Sequence, residues 1–182
     1  MIRGALVGVA VVALLAGCGG GGGKSSSSTT SAADWAAAYC GDAATWVAAL
    51  QSARETLKNN PRSTNAQEAV QSVSLATNTF TIAMGRVGQP DTAKGAEDEQ
   101  AASELGKNVQ GRVARASAAV QSNNPNVTPA QQAAVARKQA TASIAAISNT
   151  TTQLEQSDPQ LGAAMKASSD CATLKADLAK TS

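Results

Sequence analysis

The sequence predicts an all-α protein: an antiparallel bundle of four long helices followed by a C-terminal helix, with a disulfide joining its two ends. Alanine is abundant and aromatic residues make up only 2% of the 182 residues, a composition that favours closely packed helices over sheet. Apolar positions recur every three or four residues along four long segments, which is typical of amphipathic helices. Proline-containing breaks separate these segments.

The first 18 residues have the pattern of a secretory signal and not of a bundle helix. Arg3 supplies a positive charge, residues 4–15 form an apolar run, and Ala16 and Gly17 place small residues before Cys18. The apolar run is shorter than the roughly 20 residues that a membrane-spanning helix needs. An ordinary secretory signal with an unrelated cysteine after it is the alternative interpretation.

This stretch resembles the lipobox of bacterial lipoproteins that signal peptidase II processes, through the motif Leu15-Ala16-Gly17-Cys18. The resemblance implies that residues 1–17 are removed and that Cys18 becomes the lipidated first residue of the mature chain. It also implies that acyl chains such as palmitate hold the protein on the outer face of the cytoplasmic membrane. The membrane is then a partner through the N-terminal lipid.

The composition of residues 18–32 predicts a flexible tether between the lipidated cysteine and a folded domain over 33–182. The segment from Gly19 to Ser31 contains only glycine, serine, threonine and Lys24, so it cannot bury enough apolar surface to offset its chain entropy. A coil of this length spans roughly 20 Å. We expect the domain to stay close to the bilayer, outside the cytoplasm.

The first two helices are predicted over residues 34–58 and 64–87. The run Asn59-Asn60-Pro61 ends the first helix, and Thr64 with Gln67 has the spacing of a capping box at the start of the second. A Gly-Gln-Pro run ends the second helix. The predicted buried faces contain Trp35, Tyr39, Trp46, Leu50, Ala53 and Leu57 in the first helix, and Ala66, Val70, Val73, Thr77, Phe80, Met84 and Val87 in the second.

The third helix is predicted over about 92–122 and the fourth from residue 129 onward. The run Glu97-Asp98-Glu99 is expected on a solvated face near the positive end of the helix dipole, with a metal site as the alternative. Thr128, Pro129 and Gln131 have the types and spacing of an N-cap and first turn. The predicted buried faces contain Ala102, Leu105, Val109, Val113, Ala116 and Val120, and Ala136, Ala140, Ser143, Ile147 and Leu154.

One break in the chain is repeated. Asn59-Asn60-Pro61 returns as Asn123-Asn124-Pro125, and both are followed by Thr and then Ala-Gln at the same offsets. This repetition indicates two similar helical hairpins in tandem, or alternatively two turns that use the same stop and cap chemistry independently. In both cases the short loops predict antiparallel neighbours.

The last helix is predicted to begin at Asp158-Pro159 and to continue as one element through Cys171. With Cys18 lipidated, Cys40 and Cys171 remain, and outside the cytoplasm they are expected to form a structural disulfide. A redox-active pair is the alternative, although catalytic dithiols usually lie close together in sequence. Gly41 is expected to let the last helix approach closely. The apolar positions of this helix are Leu161, Met165, Ala172, Leu174 and Leu178.

Composition restricts the chemistry that is available. The sequence contains no histidine, which excludes Ser-His-Asp and Cys-His catalysis, zinc sites of the H-E-x-x-H type and histidine-ligated haem. No phosphate-binding glycine motif is present. Without Arg3, 14 basic residues stand against 13 acidic ones, so no strong field attracts nucleic acid. We therefore expect no enzyme activity, no cofactor, no metal and no nucleic-acid partner.

The start of the first helix concentrates unusual residues. Trp35, Tyr39, Asp42 and Trp46 recur at helical spacing beside Cys40. The rings could line a ligand groove in which Asp42 orients a polar ligand. Alternatively, the rings fill the space around the disulfide, and Asp42 lies at the solvent edge or pairs with an arginine such as Arg112.

The whole chain resembles the small alanine-rich lipoproteins of high-GC Gram-positive bacteria in its lipobox, tether, helical domain and cysteine pair. This resemblance implies a location and a fold and assigns no site residues. Two classes of function follow. The first is a non-enzymatic interaction or structural module of the cell envelope, which presents a face to another envelope protein or to cell-wall polymer. The second is a small-ligand carrier or sensor with an apolar pocket between helices.

Overall fold

The computed structural model describes residues 29–61, 63–122 and 124–180. Four long helices dominate these ranges, and two short helices follow them, which confirms the all-α fold. The predicted lipobox, Cys18 and the part of the predicted tether before residue 29 lie outside the described residues. The helices are α1 (Ala32–Asn59), α2 (Ser63–Val87), α3 (Gly95–Val120), α4 (Pro129–Ser157), α5 (Pro159–Ala167) and α6 (Ser169–Ala179).

The long helices form a closed ring in which each helix packs on the next and α4 packs back on α1. Hydrogen bonds between α1 and α2 give their relative direction. Trp35, near the start of α1, donates to the carbonyl of Gly88, just after α2, whereas Trp46 donates to Thr77 near the middle of α2. Contacts that advance along α1 therefore move backward along α2, as in an antiparallel pair.

The second pair of long helices follows the same rule. Ser157, the last residue of α4, donates to Asp98 in the first turn of α3. At the opposite end, Gln132 in α4 donates to the carbonyl of Ser122, just beyond α3. Short connections between consecutive helices thus produce antiparallel neighbours, as expected for a bundle with this connectivity.

The predicted apolar faces of the four long helices line the core. Every position predicted on those faces is buried, except Val87, which is half-buried. The pattern works because residues three and four apart share one side of a helix. The core is built mainly from alanine, valine and leucine around four aromatic rings.

The C-terminal region differs from its prediction. Asp158 caps α5 as expected, accepting from the backbone N–H groups of Gln160 and Leu161. The helix then stops, and Ser168 caps a second helix by accepting from the N–H of Cys171. The prediction of one continuous helix is therefore wrong. The break shifts the helical phase, and this explains why Ala172 is exposed although it was predicted on the apolar face.

Four residues of the predicted tether belong to the folded structure, because Ser31 caps α1 and Ala32 is the first residue of that helix, in addition to Thr29 and Thr30. Thr29–Thr30 form a short strand, β1, which pairs in parallel with β2 (Gln89–Pro90) between α2 and α3. Asp91 donates from its backbone N–H to the Thr30 carbonyl at 2.7 Å. This pairing delays the third helix, which begins at Gly95 and not at residue 92. The end of the bundle that holds β1 is called the tether end below.

The two predicted helix starts, at Thr64 and at Thr128, have different outcomes. Thr128 forms a complete box with Gln131: its hydroxyl accepts from the Gln131 N–H, and the Gln131 side chain accepts from the Thr128 N–H. Thr64 lies inside α2, one residue after its start at Ser63. It is therefore not the N-cap, and that prediction is wrong.

Gly41 does not have the role predicted for it. A Cβ atom built on Gly41 would lie 4.0 Å from the Asp170 carboxyl carbon, which is ordinary van der Waals contact. The approach of α6 to α1 therefore does not require a glycine at this position.

Candidate functional site

The predicted disulfide is present. Cys40 in α1 is bonded to Cys171 in α6, with 4.8 Å between the Cα atoms and 131 residues between the two positions. Both cysteines are fully buried. The bond therefore fastens the C-terminal helix to the first long helix and is shielded from solvent, as expected of a structural disulfide.

The aromatic residues at the start of α1 belong to the core and line no groove, which was one of the two interpretations of them. Trp35, Tyr39 and Trp46 are each 0% exposed. Trp35 stacks on Tyr39 at 5.4 Å, Tyr39 meets Phe80 edge-on at 6.0 Å, and Phe80 stacks on Trp46 at 4.4 Å, all between ring centroids. Such packing buries large apolar area, and these rings fill the core beside the disulfide.

The polar atoms of this cluster are satisfied from within the bundle. Tyr39 pairs with Thr151 at 3.1 Å, and the Trp46 indole donates to Thr77 at 3.0 Å. Each threonine hydroxyl donates to a backbone carbonyl one turn earlier in its own helix, which leaves its oxygen free to accept. Burial raises the pKa of Tyr39 well above its ordinary value, despite the bond to Thr151. The phenol is therefore neutral at physiological pH and unsuited to acid-base catalysis.

Asp42 lies at the solvent edge, as one of the two interpretations expected. Its side chain is half-buried, and burial raises the pKa of its carboxyl group. Arg112 does not pair with it, because the Arg112 guanidinium donates to Asn108 on its own helix, α3. Asp42 therefore lies at the surface of the bundle. The three aromatic side chains that recur with it at helical spacing are buried.

A polar cluster at the tether end was missed by the sequence analysis. Asp98, predicted on a solvated face, is only 2% exposed, and its Oδ1 accepts from the Ser157 hydroxyl at 2.7 Å. Its other oxygen, Oδ2, is buried without a hydrogen-bond partner. Asp158 is also 2% exposed and accepts from the backbone N–H groups at the start of α5 and from that of Lys94.

The pKa values of the two buried carboxyl groups are shifted in opposite directions. Burial raises the pKa of Asp98, and the negative charges of Asp158 and Glu97 add to this rise, while the Ser157 hydrogen bond opposes it. Burial acts in the same direction on Asp158, but the backbone hydrogen bonds from Gln160, Leu161 and Lys94 outweigh it and lower its pKa. As a carboxylate, Asp158 therefore accepts hydrogen bonds from the starts of both α3 and α5 and links the two helices.

The substitution Asp98→Asn should stabilise the protein at pH 7. It removes a buried charge that has an unpartnered oxygen, while the amide oxygen can still accept from Ser157. We expect a gain of about 1 kcal/mol in the free energy of unfolding. Because a raised pKa means that the folded state holds its proton more tightly, wild-type stability from this group falls as pH rises above the ordinary aspartate range. The gain should therefore shrink as pH is lowered toward 4.

Urea unfolding of both proteins at pH 7 and pH 4 measures this difference. Glu104→Gln, which changes an exposed carboxylate further along α3 that does not perturb Asp98, serves as the matched control and should have little effect. A variant that is less stable than the wild type at pH 7 would contradict the assignment of Asp98 as a strained buried carboxyl group.

The described residues hold neither a metal cluster nor a spanning helix. Within them, no three histidine, cysteine, aspartate or glutamate side chains form a group that could bind a metal ion. Among the same residues, no helix has both the length and the apolar character needed to cross a bilayer.

The interior offers little room for a ligand. The apolar space where all four long helices meet, between residues such as Leu50, Val73, Val113 and Ala140, has a volume of about 20 Å³. Ligand pockets usually have volumes of several hundred Å³. The core is therefore filled by its own side chains.

Open grooves between neighbouring helices provide the larger concave surfaces. The groove between α2 and α3 has a volume of about 630 Å³ and is lined by uncharged amide and hydroxyl side chains above an apolar floor. The groove between α3 and α4 is about 510 Å³ and contains one acidic and one basic residue, Glu104 and Arg112. A third groove, between α1 and α4, is about 440 Å³ and carries Arg54, Lys58 and Arg137.

These grooves are the candidate binding surfaces of the molecule. The α2–α3 groove suits an uncharged polar partner, whereas the α1–α4 groove, called the basic groove below, has an excess of positive charge. Neither could be identified from sequence, because each is formed by residues from separate helices. The chain matches no protein-family model, no curated protein and no solved structure.

Proposed function

We propose that the protein is a lipid-anchored, non-enzymatic interaction module of the cell envelope that binds its partner on the outer surface of a rigid helical bundle. The observation that carries the interaction part is the filled core beside several-hundred-Å³ surface grooves. The lipobox-like motif at residues 15–18 supports the anchor and the location outside the cytoplasm.

A carrier with an internal pocket is less well supported. The rings that could have lined such a pocket are fully buried, and their polar atoms bond to the protein itself. To admit a ligand, the bundle would have to open and leave those groups without partners, which is costly. Surface binding needs no such rearrangement.

The attachment geometry is consistent with a presenting role. β1 fixes the chain at one end of the bundle, and α1, with 28 residues, extends about 42 Å from there at 1.5 Å per residue. A lipid at Cys18 would hold the tether end toward the membrane. The far end of α1, which includes Arg54 and Lys58, would then face away from the bilayer.

The substitution Cys18→Ser should release the protein from the membrane without unfolding it. The thiol that would accept the lipid is lost, while the bundle, including its disulfide, lies entirely in residues 29–180. We expect the variant in the soluble fraction with unchanged helical circular dichroism. Ser25→Ala, a change within the tether, is the matched control and should leave the protein in the membrane fraction.

Retention of the folded Cys18→Ser protein in the membrane fraction would contradict lipid anchoring through this residue. Intact-protein mass spectrometry adds an independent readout, because the wild-type chain should begin at residue 18 and carry acyl mass that the variant lacks.

A further inference from the structure

The basic groove combines three cations with little compensating charge. Arg54 and Lys58 lie one turn apart on α1, and Arg137 faces them from α4. Arg54 and Arg137 are half-buried, whereas Lys58 is exposed. Glu55, also exposed, is the acidic side chain that lines the groove, so the groove keeps a net positive charge.

These cations have no ion-pair partners within the part of the chain that the structure describes. Among the described residues, the ion pairs are Lys175 with Glu155 and Lys180 with Asp177, and neither involves the groove. The Arg137 Nε atom is buried and has no hydrogen-bond acceptor. Arginine in a partly buried position usually has a carboxylate or phosphate partner. The residues that the structure describes supply no such partner to Arg137.

The neighbouring helix does not neutralise the groove. The end of α6 approaches it where Gln51 donates to the backbone carbonyl of Asp177. The Asp177 carboxylate itself pairs with Lys180 at 2.7 Å. The nearest acidic side chain on α6 is therefore already balanced.

Acidic and basic residues are distributed unevenly along the axis of the bundle. Hydrogen bonds between α1 and α2 and between α2 and α3 mark its middle. Of the 13 acidic residues in the sequence, all except Glu55, Glu68 and Asp177 lie in the half that contains the tether end. Of the basic residues in the described ranges, the larger share lies in the opposite half. The basic residues of that half are Arg54, Lys58, Arg112, Arg115, Arg137, Lys138 and Lys180.

This charge distribution distinguishes between two sources of an anionic ligand, the membrane surface and a molecule outside the membrane. An anionic membrane surface would repel the acidic half, which adjoins the tether. The basic half lies about 30 to 40 Å along α1 from β1, since helices rise 1.5 Å per residue. The positive groove therefore lies at the end of the bundle farther from the tether, which favours an anion outside the bilayer as its ligand.

We propose that the basic groove binds the phosphate or carboxylate groups of an anionic polymer of the cell envelope outside the bilayer, with Arg54, Lys58 and Arg137 as the binding residues. The proposal deepens the proposed function, because it assigns the chemistry of the partner to one surface. The anion would supply a negatively charged partner for the Arg137 side chain, which forms no ion pair within the described residues. Binding itself does not require the lipid anchor, so it can be tested separately from membrane attachment.

Titration of the Cys18→Ser protein with inorganic tripolyphosphate tests the site. At low salt we expect saturable binding, measured by calorimetry, that weakens as ionic strength rises. Arg137→Gln should weaken binding roughly tenfold, the effect of losing a charged hydrogen bond. Lys107→Gln removes an exposed cation in the acidic half and should leave the affinity unchanged.

Glu55→Gln gives the opposite prediction on the same surface. It removes the opposing charge in the groove and should strengthen binding about two- to threefold, since an exposed charge interaction contributes only some tenths of a kcal/mol to about 1 kcal/mol. A variant that is merely misfolded would not bind more tightly. The pair of variants therefore separates a specific groove from general loss of structure.

Vesicles of phosphatidylglycerol and phosphatidylcholine distinguish the two sources of phosphate. We expect the Cys18→Ser protein to bind tripolyphosphate and not the vesicles. Vesicle binding that Arg137→Gln abolishes would overturn the proposal and make the bilayer the ligand. Absence of tripolyphosphate binding, or binding equally weakened by Lys107→Gln, would also overturn it.

Discussion

Replacement of both bridging cysteines, in the double variant Cys40→Ala/Cys171→Ala, should lower the free energy of unfolding by roughly 4 to 5 kcal/mol. The bond closes a loop with a sequence separation of 131 residues, and the loss of chain entropy in the unfolded state grows with loop length. The four long helices also pack on one another through their own apolar faces, so helicity should persist at room temperature.

Chemical denaturation followed by circular dichroism measures this effect. The wild-type protein should also resist reducing agents while folded, because both sulfur atoms are fully buried. It should lose the same stability as the double variant once it is reduced in denaturant. Equal stability of oxidised wild type and double variant would show that the bond does not hold the C-terminal helix in place.

Gly95→Ala and Gly162→Ala should each destabilise the protein by about 2 to 3 kcal/mol, the usual range for a steric overlap in a packed region. A Cβ atom on Gly95 would overlap the Pro90 carbonyl oxygen, and one on Gly162 would overlap the carbonyl oxygen of Glu155. Both neighbours are backbone atoms, which cannot move aside as a flexible side chain can. The first substitution strains the junction of β2 with α3, and the second strains the turn between α4 and α5.

Gly41→Ala and Gly85→Ala are the matched controls for these substitutions. Both glycines lie inside long helices, and an added Cβ meets nothing closer than 4.0 Å at Gly41 and nothing within 4 Å at Gly85. Each control should therefore stabilise the protein by about 1 kcal/mol, the helix-propensity difference between alanine and glycine. Urea unfolding of the four variants measures both the expected losses and the expected gains in the free energy of unfolding. Stabilisation by Gly95→Ala would contradict the packing described at the tether end.

The long helices could be predicted because their signal is local. Positions such as Val70, Val73 and Phe80 repeat at the helical period and are buried, and Pro129 with the Thr128 box starts α4 as expected. The disulfide could be predicted as well, because Cys40 and Cys171 were the only pair left once Cys18 was assigned to the lipid.

The breaks and strands were harder to predict, since their signals are weak or distant. Ser168 is of a residue type favoured at N-caps, but no proline or glycine marks a break beside it, so the segment resembles one continuous helix. Thr29 and Thr30 belong to a low-complexity run, and only the presence of Gln89–Pro90 beside them makes them a strand. An edge pairing of two residues has no sequence periodicity.

The polar and charged surfaces depend entirely on tertiary structure. Asp98 was expected to be solvated, and it is buried because α4 ends against α3 and brings Ser157 to its carboxylate. The basic groove joins α1 to the first half of α4, which are separated by two helices in the sequence. The overall charge of the chain is close to neutral, which hides the separation of acidic and basic halves.

The most direct test of surface binding is photo-crosslinking in intact cells from two positions on α4. Ala134 is exposed in the basic groove, and Ala145 is exposed in the groove between α3 and α4. A photoreactive residue at position 134 should capture a discrete envelope component, while the same residue at position 145 captures little. Capture at 134 should fall when the protein is released by Cys18→Ser. No adduct at either position, with the probes incorporated and the protein anchored, would contradict an interaction module that binds its partner through the basic groove.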